Sequence, residues 1–401
     1  MNNKKKWIIT TIIIVLITNT ITYFSTTIFG TFLPNGNVAI NKTDYSNFIK
    51  FQKLFLVKDQ LDNYYDGTMD QSAMLEGAIK GMTSALNDPY TTFMSKSEYA
   101  DFNAQTEGNY SGVGLQIQAS EDKIVVVDIF EDSPSKKAGI LPKDIIEKVD
   151  GKDVSGKELE KAVTMMKGQE GTKVKLTVYR ENKGEFDVEL VRAKINMVTV
   201  KSEMIDSEVG YIQVSMFDEN TAKNFKTQLA ALQGKGMKSL IIDLRSNPGG
   251  LLSECVDMVS NFVEKDKVIV STIDKYNQSK KYNSIGGDAI GMPLVILTNE
   301  GTASASEIFS GAIRDYKLGT LVGKKTYGKG VVQTLLDTGD GTALKVTISK
   351  YYTPNGENIN HTGINPDVVV DYPDSLRASA YSRSNDPQFN KALEIAKSKI
   401  K

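Results

Sequence analysis

Ser304 and Lys329 are the residues of this chain whose types and settings could do nucleophilic chemistry. An apolar run at 294–297 leads into small residues around Ser304, and Ile308 and Phe309 begin a helical spacing after it. Ser304 is therefore expected where a strand gives way to a helix, so that free N–H groups at the helix start lie near its hydroxyl. A serine hydroxyl becomes a good nucleophile at neutral pH once a base takes its proton.

Lysine is the base that the sequence offers to Ser304. The single histidine, His361, stands in a polar segment that indicates a surface position. Lys329 is flanked by Gly328 and Gly330, which let the backbone bring the amine into a tight space. Burial there would disfavour the ammonium form and lower the pKa of Lys329, as a general base requires.

Other interpretations of this stretch stay open on these residues alone. Ser304 and Glu307 also form the S-x-x-E pattern of a capping box, and that pattern by itself favours a simple helix cap. Residues 323–329 nearly spell a phosphate-binding loop. However, Gly330 stands where Ser or Thr is needed, and 331–336 reads as a strand where such a loop requires a helix. A nucleotide-binding phosphotransferase is therefore disfavoured.

The run SASASEIF, followed by TYGKGVVQT, resembles the signature of the carboxyl-terminal processing proteases, also called tail-specific proteases. The resemblance implies a serine endopeptidase in which Ser304 is the nucleophile, Lys329 the general base and Gln333 the residue that orients the lysine. It also implies that the N–H groups of Gly250 and Ala305 form the oxyanion hole. Such an enzyme works through an acyl-enzyme and needs no metal or cofactor.

The composition is that of a globular protein able to bury a core. The chain has 401 residues, enough for two or three domains, of which 40% are apolar and 24% charged. The net charge of −1 argues against nucleic acid as a partner. Cys255 is the single cysteine, which excludes an internal disulfide and, with one histidine, makes a structural zinc site implausible. Its apolar helical surroundings predict a core position.

The amino terminus predicts a membrane anchor. Residues 7–29 carry no charge and suffice to span a bilayer, which takes roughly 20 apolar residues. Lys4, Lys5 and Lys6 lie in the preceding tip, 1–6, so the positive-inside rule keeps this tip in the cytoplasm. The chain is then a single-pass protein of the cell membrane with its catalytic part on the extracytoplasmic side. A cleaved signal peptide is the alternative, although no convincing small-x-small site follows the apolar run.

Two segments follow the anchor. Residues 30–107 read as a linker and a helical arm, because apolar residues recur at helical spacing from about 44 to 86. Within it, GAIKGMTSALNDPYTTFM resembles the arm of the processing proteases, which implies a homodimer formed through that arm.

The order of strands and helices in residues 108–194 resembles a PDZ domain. In such domains a glycine-rich loop before an edge strand holds the terminal carboxylate of a peptide, which adds to the sheet as a further strand. The implied partners are proteins or peptides with free carboxyl termini. The resemblance assigns peptide binding to Gly112, Val113, Gly114, Leu115 and Ile117.

Strands alternate with helices in residues 195–375, which predicts βαβ units and a parallel sheet. The chain as a whole is thus expected to be an α/β and α+β multidomain protein, and the resemblance makes this part a crotonase-like serine protease core. Residues 376–401 form a polar carboxyl-terminal segment. The function expected is a membrane-anchored serine endopeptidase that cleaves proteins at or near their carboxyl-terminal tails; a non-catalytic PDZ adaptor is the alternative.

Overall fold

The computed structural model describes residues 7, 11–20, 31–33, 37–377 and 381–400. The chain divides into two compact units, Met1–Gly77 and Ala78–Lys401. Of the predicted membrane segment 7–29, Trp7 and residues 11–20 are helical, and the rest lies outside the described residues. Within the described ranges, no helix combines the length and the apolar character that crossing a bilayer requires.

The first unit contains a short hairpin and a long helix. Strands β1 (Thr31–Leu33) and β2 (Asn37–Ala39) pair antiparallel, and helix α1 (Lys42–Tyr64) follows. Asn41 caps this helix, because its side-chain oxygen accepts from the Asp44 N–H at 2.9 Å. Helix α1 buries none of its residues. Its exposed large apolar side chains are Phe48, Ile49, Phe51, Leu54, Phe55, Leu56, Val57 and Leu61.

Three short elements follow α1. Helix α2 (Gln71–Ser84) ends shortly before Pro89, as expected from the resistance of a pre-proline residue to helix. Strand β3 (Thr92–Met94) and helix α3 (Lys96–Thr106) come next. The start of α3 is fixed by a capping box, in which Ser95 N–H donates to the Glu98 carboxylate at 2.7 Å and the Glu98 N–H donates to Ser95 Oγ at 3.4 Å.

The PDZ-like segment folds around an antiparallel sheet with its own hydrophobic core. The strand order is β10-β9-β7-β6-β5, with β8 paired to β7, so β5 is an edge strand. The predicted succession of strands and helices is confirmed. The elements are β5 (Leu115–Ser120), β6 (Lys123–Ile129), α4 (Pro134–Lys137), β7 (Ile145–Val149), β8 (Lys152–Asp153), α5 (Leu159–Met166), β9 (Lys173–Arg180) and β10 (Gly184–Val191). Outside this sheet, β4 (Asn109–Gly112) pairs antiparallel with β11 (Ala193–Asn196), where the chain enters and leaves the segment.

The larger part of the second unit is built on the predicted parallel sheet. Its order is β12-β13-β14-β17-β18-β21, and every neighbouring pair except β12–β13 is parallel. The strands are β12 (Val200–Met204), β13 (Val209–Val214), β14 (Ser239–Asp243), β17 (Leu294–Thr298), β18 (Gly319–Gly323) and β21 (Val368–Val369). The helices between them are α6 (Thr221–Gly234), α7 (Leu252–Ser260) and α8 (Ala305–Asp315).

Both faces of this sheet are covered, which explains why its central strands β14 and β17 are buried and mainly apolar. Side chains alternate along a strand, so Leu240 and Ile242 of β14 join the core that α6, α7 and α8 cover, whereas Ile241 joins the core on the opposite face. Helix α10 (Pro387–Ser398) covers that opposite face and buries Phe389 and two alanines there. Of the predicted carboxyl-terminal segment 376–401, helix α10 thus packs on the core sheet; a short helix, α9 (Asp374–Arg377), spans the start of the segment.

A second sheet has the order β16-β15-β20-β19, and β3 pairs with β20. The strands are β15 (Val268–Asp274), β16 (Ser279–Asn283), β19 (Val331–Asp337) and β20 (Ala343–Tyr352). Residues 331–337 are therefore a strand, which confirms the argument against a phosphate-binding loop.

Candidate active site

Ser304 lies in the turn between β17 and α8, where the sequence places it. Its backbone has φ 56° and ψ −117°, a conformation that residues other than glycine rarely adopt. Two hydrogen bonds hold the turn: Ala303 N–H donates to the Asn247 carbonyl at 3.0 Å, and Ser304 N–H donates to the Glu307 carboxylate at 2.8 Å. A strained residue that its surroundings fix in this way is a candidate for function.

Glu307 joins the turn of Ser304 to the loop of Lys329. Its side chain is fully buried, and its two oxygens accept from four donors. Besides Ser304 N–H, these are Gly328 N–H at 2.8 Å, Lys329 N–H at 2.9 Å and Thr326 Oγ1 at 2.5 Å. The Glu307 half of the predicted capping box is therefore present, but the same carboxylate also fixes a loop more than twenty residues away.

Tyr351 makes a second link between the same two segments. Its hydroxyl lies within hydrogen-bond distance of the Ser304 carbonyl, at 3.1 Å, and of the Lys329 carbonyl. The side chain belongs to β20 and is almost completely buried. The backbones of Ser304 and Lys329 are thus connected by one carboxylate and one phenol.

All residues that the resemblance assigns to catalysis line one cavity of about 640 Å³. These residues are Ser304, Lys329, Gln333, Gly250 and Ala305. They come from four different parts of the fold, namely the turn before α7, the start of α8, the loop before β19, and β19 itself. The cavity is a cleft that is open to solvent.

The amine of Lys329 lies in a partly buried, mixed electrostatic environment. Burial lowers the pKa of Lys329, and the positive charge of Lys345 lowers it further, whereas Asp88 and Glu307 act in the opposite direction. The Nζ atom is 4.6 Å from the centre of the Tyr90 ring. In the described part of the chain, Nζ makes no hydrogen bond to Ser304 Oγ.

Gln333 lies on β19 and faces the same cavity. Its amide nitrogen is 3.5 Å from Thr347 Oγ1, a weak contact across the β19–β20 pair. Its expected role in orienting Lys329 stays a prediction.

The candidate oxyanion donors lie on either side of Ser304. Gly249 and Gly250 form a turn against the nucleophile segment, and a Cβ at Gly249 would lie 2.8 Å from the Cβ of Ser304. A Cβ at Gly250 would lie 2.2 Å from the Phe217 carbonyl oxygen. Both positions also have positive φ, so glycine is required for this close approach. Ala305 is the first residue of α8, and the N–H groups in the first turn of a helix have no partner within that helix.

Cys255 is fully buried, as its apolar surroundings predict, and it touches the nucleophile segment. Its Sγ donates to the Ala305 carbonyl at 3.0 Å, and burial raises the pKa of the thiol. His361 is exposed, as expected, and its backbone N–H donates to the Gly328 carbonyl in the loop of Lys329.

The residues assigned to peptide binding surround a second cavity, of about 450 Å³. Along the described residues, β5 pairs with β6 on one side, and its other edge is left without a strand. Val163 and Met166 of α5 line the cavity with it. The assigned residues Gly112, Val113, Gly114, Leu115 and Ile117 all line this groove.

Three residues of the site were missed by sequence reasoning in whole or in part. Glu307 was interpreted only as a cap, and Tyr351 and Tyr90 were not singled out. The signal for Glu307 was present, because a glutamate amid small and apolar residues has to satisfy its charge locally. Tyr351 and Tyr90 carry no comparable signal, since their contacts depend on how β20 and β3 are placed.

Models of known protein families match three parts of the chain. The family model described as "Peptidase family S41" matches residues 208–370, and the one described as "PDZ domain" matches 111–190. A third, "Activating protease CtpB N-terminal domain", matches 16–98.

Two curated relatives cover most of the chain. It is 37% identical over 340 residues to the carboxy-terminal processing protease CtpA of Bacillus subtilis (strain 168), covering 85% of this chain and 73% of the relative. It is 38% identical over 354 residues to a probable CtpA-like serine protease of Staphylococcus haemolyticus (strain JCSC1435), covering 86% and 71%. Among solved structures, a putative S41 protease from Bacteroides fragilis NCTC 9343 has a TM-score of 0.57 at 17% identity, covering 84% of this chain and 93% of that one, and shows a similar fold.

Proposed function

The chain belongs to the carboxyl-terminal processing proteases of peptidase family S41, serine-type peptidases with a PDZ domain, and on this basis we propose that Ser304 and Lys329 form its catalytic dyad. Lys329 in its amine form takes the proton of the Ser304 hydroxyl, and Ser304 Oγ attacks the scissile carbonyl. The N–H groups of Gly250 and Ala305 stabilise the oxyanion. Lys329 then gives the proton to the leaving amine, and water hydrolyses the acyl-enzyme. Gln333 orients Lys329.

One observation carries this proposal: the segments of Ser304 and Lys329 are tied together by buried groups. Glu307 accepts from both backbones, and the Tyr351 hydroxyl reaches both carbonyls. This arrangement places the charge of Glu307 in the interior, and proteins retain a buried charge only when it is fully hydrogen-bonded. Glu307 and Tyr351 thereby hold Ser304 and the partly buried Lys329 at the same cleft. This shared position supports the roles of nucleophile and base.

A cleavage assay tests the dyad. The full chain is incubated with an unfolded protein that ends in an apolar free carboxyl terminus, beside the variants Ser304→Ala and Lys329→Ala. We expect each variant to lose cleavage by at least about a hundredfold, since general-base catalysis alone contributes that much. Lys325→Ala is the matched control, because Lys325 is an exposed lysine of the same loop and does not line the cleft.

Equal cleavage by wild type, Ser304→Ala and Lys329→Ala would contradict the dyad. Peptide binding without any cleavage in the wild type would instead favour the PDZ adaptor alternative.

The PDZ groove is proposed to bind the carboxyl terminus of the substrate or of a regulator. The groove and the catalytic cleft share two lining residues, Gln105 and Met216, so the two cavities are neighbours. The groove is lined mainly by apolar side chains, which suits an apolar terminal residue. If the groove holds the tail of a substrate, the segment of the substrate next to that tail would therefore reach the cleft.

The amino-terminal segment is proposed to anchor the enzyme in the cell membrane, with the catalytic part outside the cytoplasm. The support is the uncharged stretch 7–29 behind three lysines. Extraction of membranes at alkaline pH tests this, because an anchored protein stays in the pellet; release into the supernatant at full length would contradict it.

Helix α1 is proposed to form a homodimer with a second copy of itself. Its exposed phenylalanines and leucines make an apolar surface that water would otherwise contact. Sedimentation of the wild type and of Phe51→Asp tests this. A dimer in the first and a monomer in the second is expected, and a monomeric wild type would contradict the proposal.

A further inference from the structure

Lys329 Nζ lies over the face of the Tyr90 ring, 4.6 Å from the ring centre. An aromatic face carries partial negative charge, so at this distance it attracts an ammonium group and leaves a neutral amine almost unaffected. Tyr90 belongs neither to the turn of Ser304 nor to the loop of Lys329. It comes from the turn between α2 and β3.

The position of the Tyr90 ring is built into the fold. Asp88 accepts from Tyr90 N–H at 3.0 Å and from Thr91 Oγ1 at 2.6 Å, which fixes the turn. Thr91 Oγ1 in turn accepts from the Thr347 N–H of β20 at 3.1 Å. The following strand, β3, pairs with β20, the strand that also carries Lys345 and Tyr351. The turn is thus fastened to the same strand as the rest of the site.

The contact is one between a ring and a cation. Burial, with Tyr327 nearby, raises the pKa of Tyr90 to about 12, so the phenol stays neutral through the neutral pH range. The other charged groups that face Lys329 act in both directions. Asp88 from the turn and Glu307 from α8 favour the ammonium form, whereas Lys345 from β20 disfavours it.

We propose that Tyr90 is a positioning residue for the general base: its ring holds Lys329 as an ammonium in the resting enzyme. Loss of that proton to solvent releases the amine from the ring, and the amine then takes the proton of the Ser304 hydroxyl. The inference rests on the proposed function, in which Lys329 is the base. Tyr90 thereby adds one step, the loss of this proton to solvent, which the resting enzyme completes before Lys329 takes its first proton from Ser304.

The titration of Lys329 itself tests the proposal without relying on activity. The full chain with Ser304→Ala is labelled by a trace of acetic anhydride over a series of pH values, and the labelled fraction of Lys329 is read by mass spectrometry. Lys325, exposed in the same loop, serves as the internal reference. The midpoint of labelling reports protonation, whereas a change in accessibility alters the plateau.

Tyr90→Leu removes the ring and should move the midpoint to lower pH, because the ammonium form loses its partner. Labelling below the midpoint should rise about three- to tenfold, the range that a partly desolvated ring contact predicts. Tyr90→Phe keeps the ring and should titrate close to the wild type.

A second series keeps the size of the ring in case Tyr90→Leu disturbs folding. Phenylalanine analogues with one and three ring fluorines at position 90 weaken the negative face stepwise, and the midpoint should fall stepwise with them. A midpoint that stays the same across this series would overturn the role of Tyr90.

The pH profile of substrate cleavage with Ser304 intact separates this inference from the dyad. If Tyr90 acts on the base, the rising limb of the profile moves to lower pH together with the labelling midpoint. A midpoint that moves with no matching change in cleavage would overturn the role of Lys329 as base.

Discussion

At the scale of residues, the chemistry depends on how the protonation of Lys329 is balanced. A lysine in water is an ammonium at neutral pH and cannot accept a proton. Here burial and the charge of Lys345 favour the amine, while Asp88, Glu307 and the Tyr90 ring favour the ammonium. Burial is the largest of these effects, so the pKa of Lys329 is lowered overall, the direction that a general base requires.

Lys345→Gln is expected to shift the pH dependence of cleavage to higher pH. Lys345 lowers the pKa of Lys329 by repelling its positive charge, so removing that charge raises the pKa. Activity requires the amine, which then forms only at higher pH. The measurement is the rate of cleavage under substrate-limited conditions across neutral and alkaline pH.

Lys345→Arg retains the charge and should leave the limb of the profile where it is. A shift of the same size in both variants would show that packing at position 345, and not its charge, controls the base.

The sequence predicts the reacting residues better than it predicts their supports. Ser304 and Lys329 stand in a long, specific motif, and their types alone suggest a nucleophile and a base. Tyr90 and Tyr351 lie outside that motif in sequence: Tyr90 comes close to it because β3 pairs with β20, and Tyr351 because β20 pairs with β19. A contact that depends on strand pairing has no local signature.

At the scale of elements, two turns approach each other to form the site. The turn before α7 and the turn before α8 meet so closely that Gly249 faces Ser304 with no room for a side chain. Asn247 joins them, because its carbonyl accepts from Ala303 N–H and from Ser306 Oγ. The backbone conformation of Ser304, the proposed nucleophile, is thus imposed by a neighbouring loop.

Gly249→Ala is expected to lower the reactivity of Ser304 about a hundredfold, the cost of a displacement of about 1 Å at a reacting group. The added Cβ would meet Ser304 Cβ at 2.8 Å and force the turns apart. The measurement is the rate at which a fluorophosphonate probe labels Ser304.

Gly236→Ala is the control for backbone strain. Gly236 also has positive φ, 89°, but beyond its own chain neighbours no atom lies within 4 Å of the place that an added methyl group would take. Gly236→Ala therefore introduces the backbone strain of a positive φ without a steric clash of the added methyl group. Equal labelling of Ser304 in the two variants would contradict the role given to the close approach.

Elements that follow a simple period were predictable, and elements that depend on their partners were not. β13 and β14 are apolar runs, and such runs are recognisable as strands from the sequence. β15 and β16 were not predicted, because their alternation is broken and β16 is mostly exposed. A helix at the carboxyl end could be predicted, but its burial could not: the few apolar residues of α10 lie on one face and pack against the sheet.

At the scale of the whole molecule, the second unit combines the groove beside β5, which we propose to bind peptide ends, with the cleft at Ser304, which we propose to be catalytic. The groove and the cleft belong to parts of the unit that have separate hydrophobic cores. The walls of the two cavities share Gln105 and Met216. The two parts of the fold suit different tasks. An edge strand suits the binding of a peptide end, and two turns that meet at a sheet suit the positioning of a nucleophile.

Val163→Asp is expected to weaken the binding of an apolar carboxyl-terminal peptide at least tenfold. Val163 lies on α5 in the wall of the groove. An aspartate there would be a poor neighbour for the apolar terminal side chain of the peptide and would repel the terminal carboxylate of the peptide. Fluorescence anisotropy of a labelled peptide measures this, with a carboxyl-terminal amide as a second ligand.

Thr164→Asp is the matched control, because Thr164 is the next residue of the same helix and is exposed. Peptide binding by Val163→Asp that equals binding by Thr164→Asp would rule out the groove as the peptide site.

The central claim, that Ser304 is the nucleophile and Lys329 its base, is tested most directly by identifying the modified residue. The chain is treated with a fluorophosphonate probe, and the adduct is located and timed by mass spectrometry in wild type and Lys329→Ala. We expect one adduct, on Ser304, that forms at least about a hundredfold more slowly without Lys329. An adduct on another serine, or one on Ser304 that forms at the same rate in both proteins, would contradict the claim.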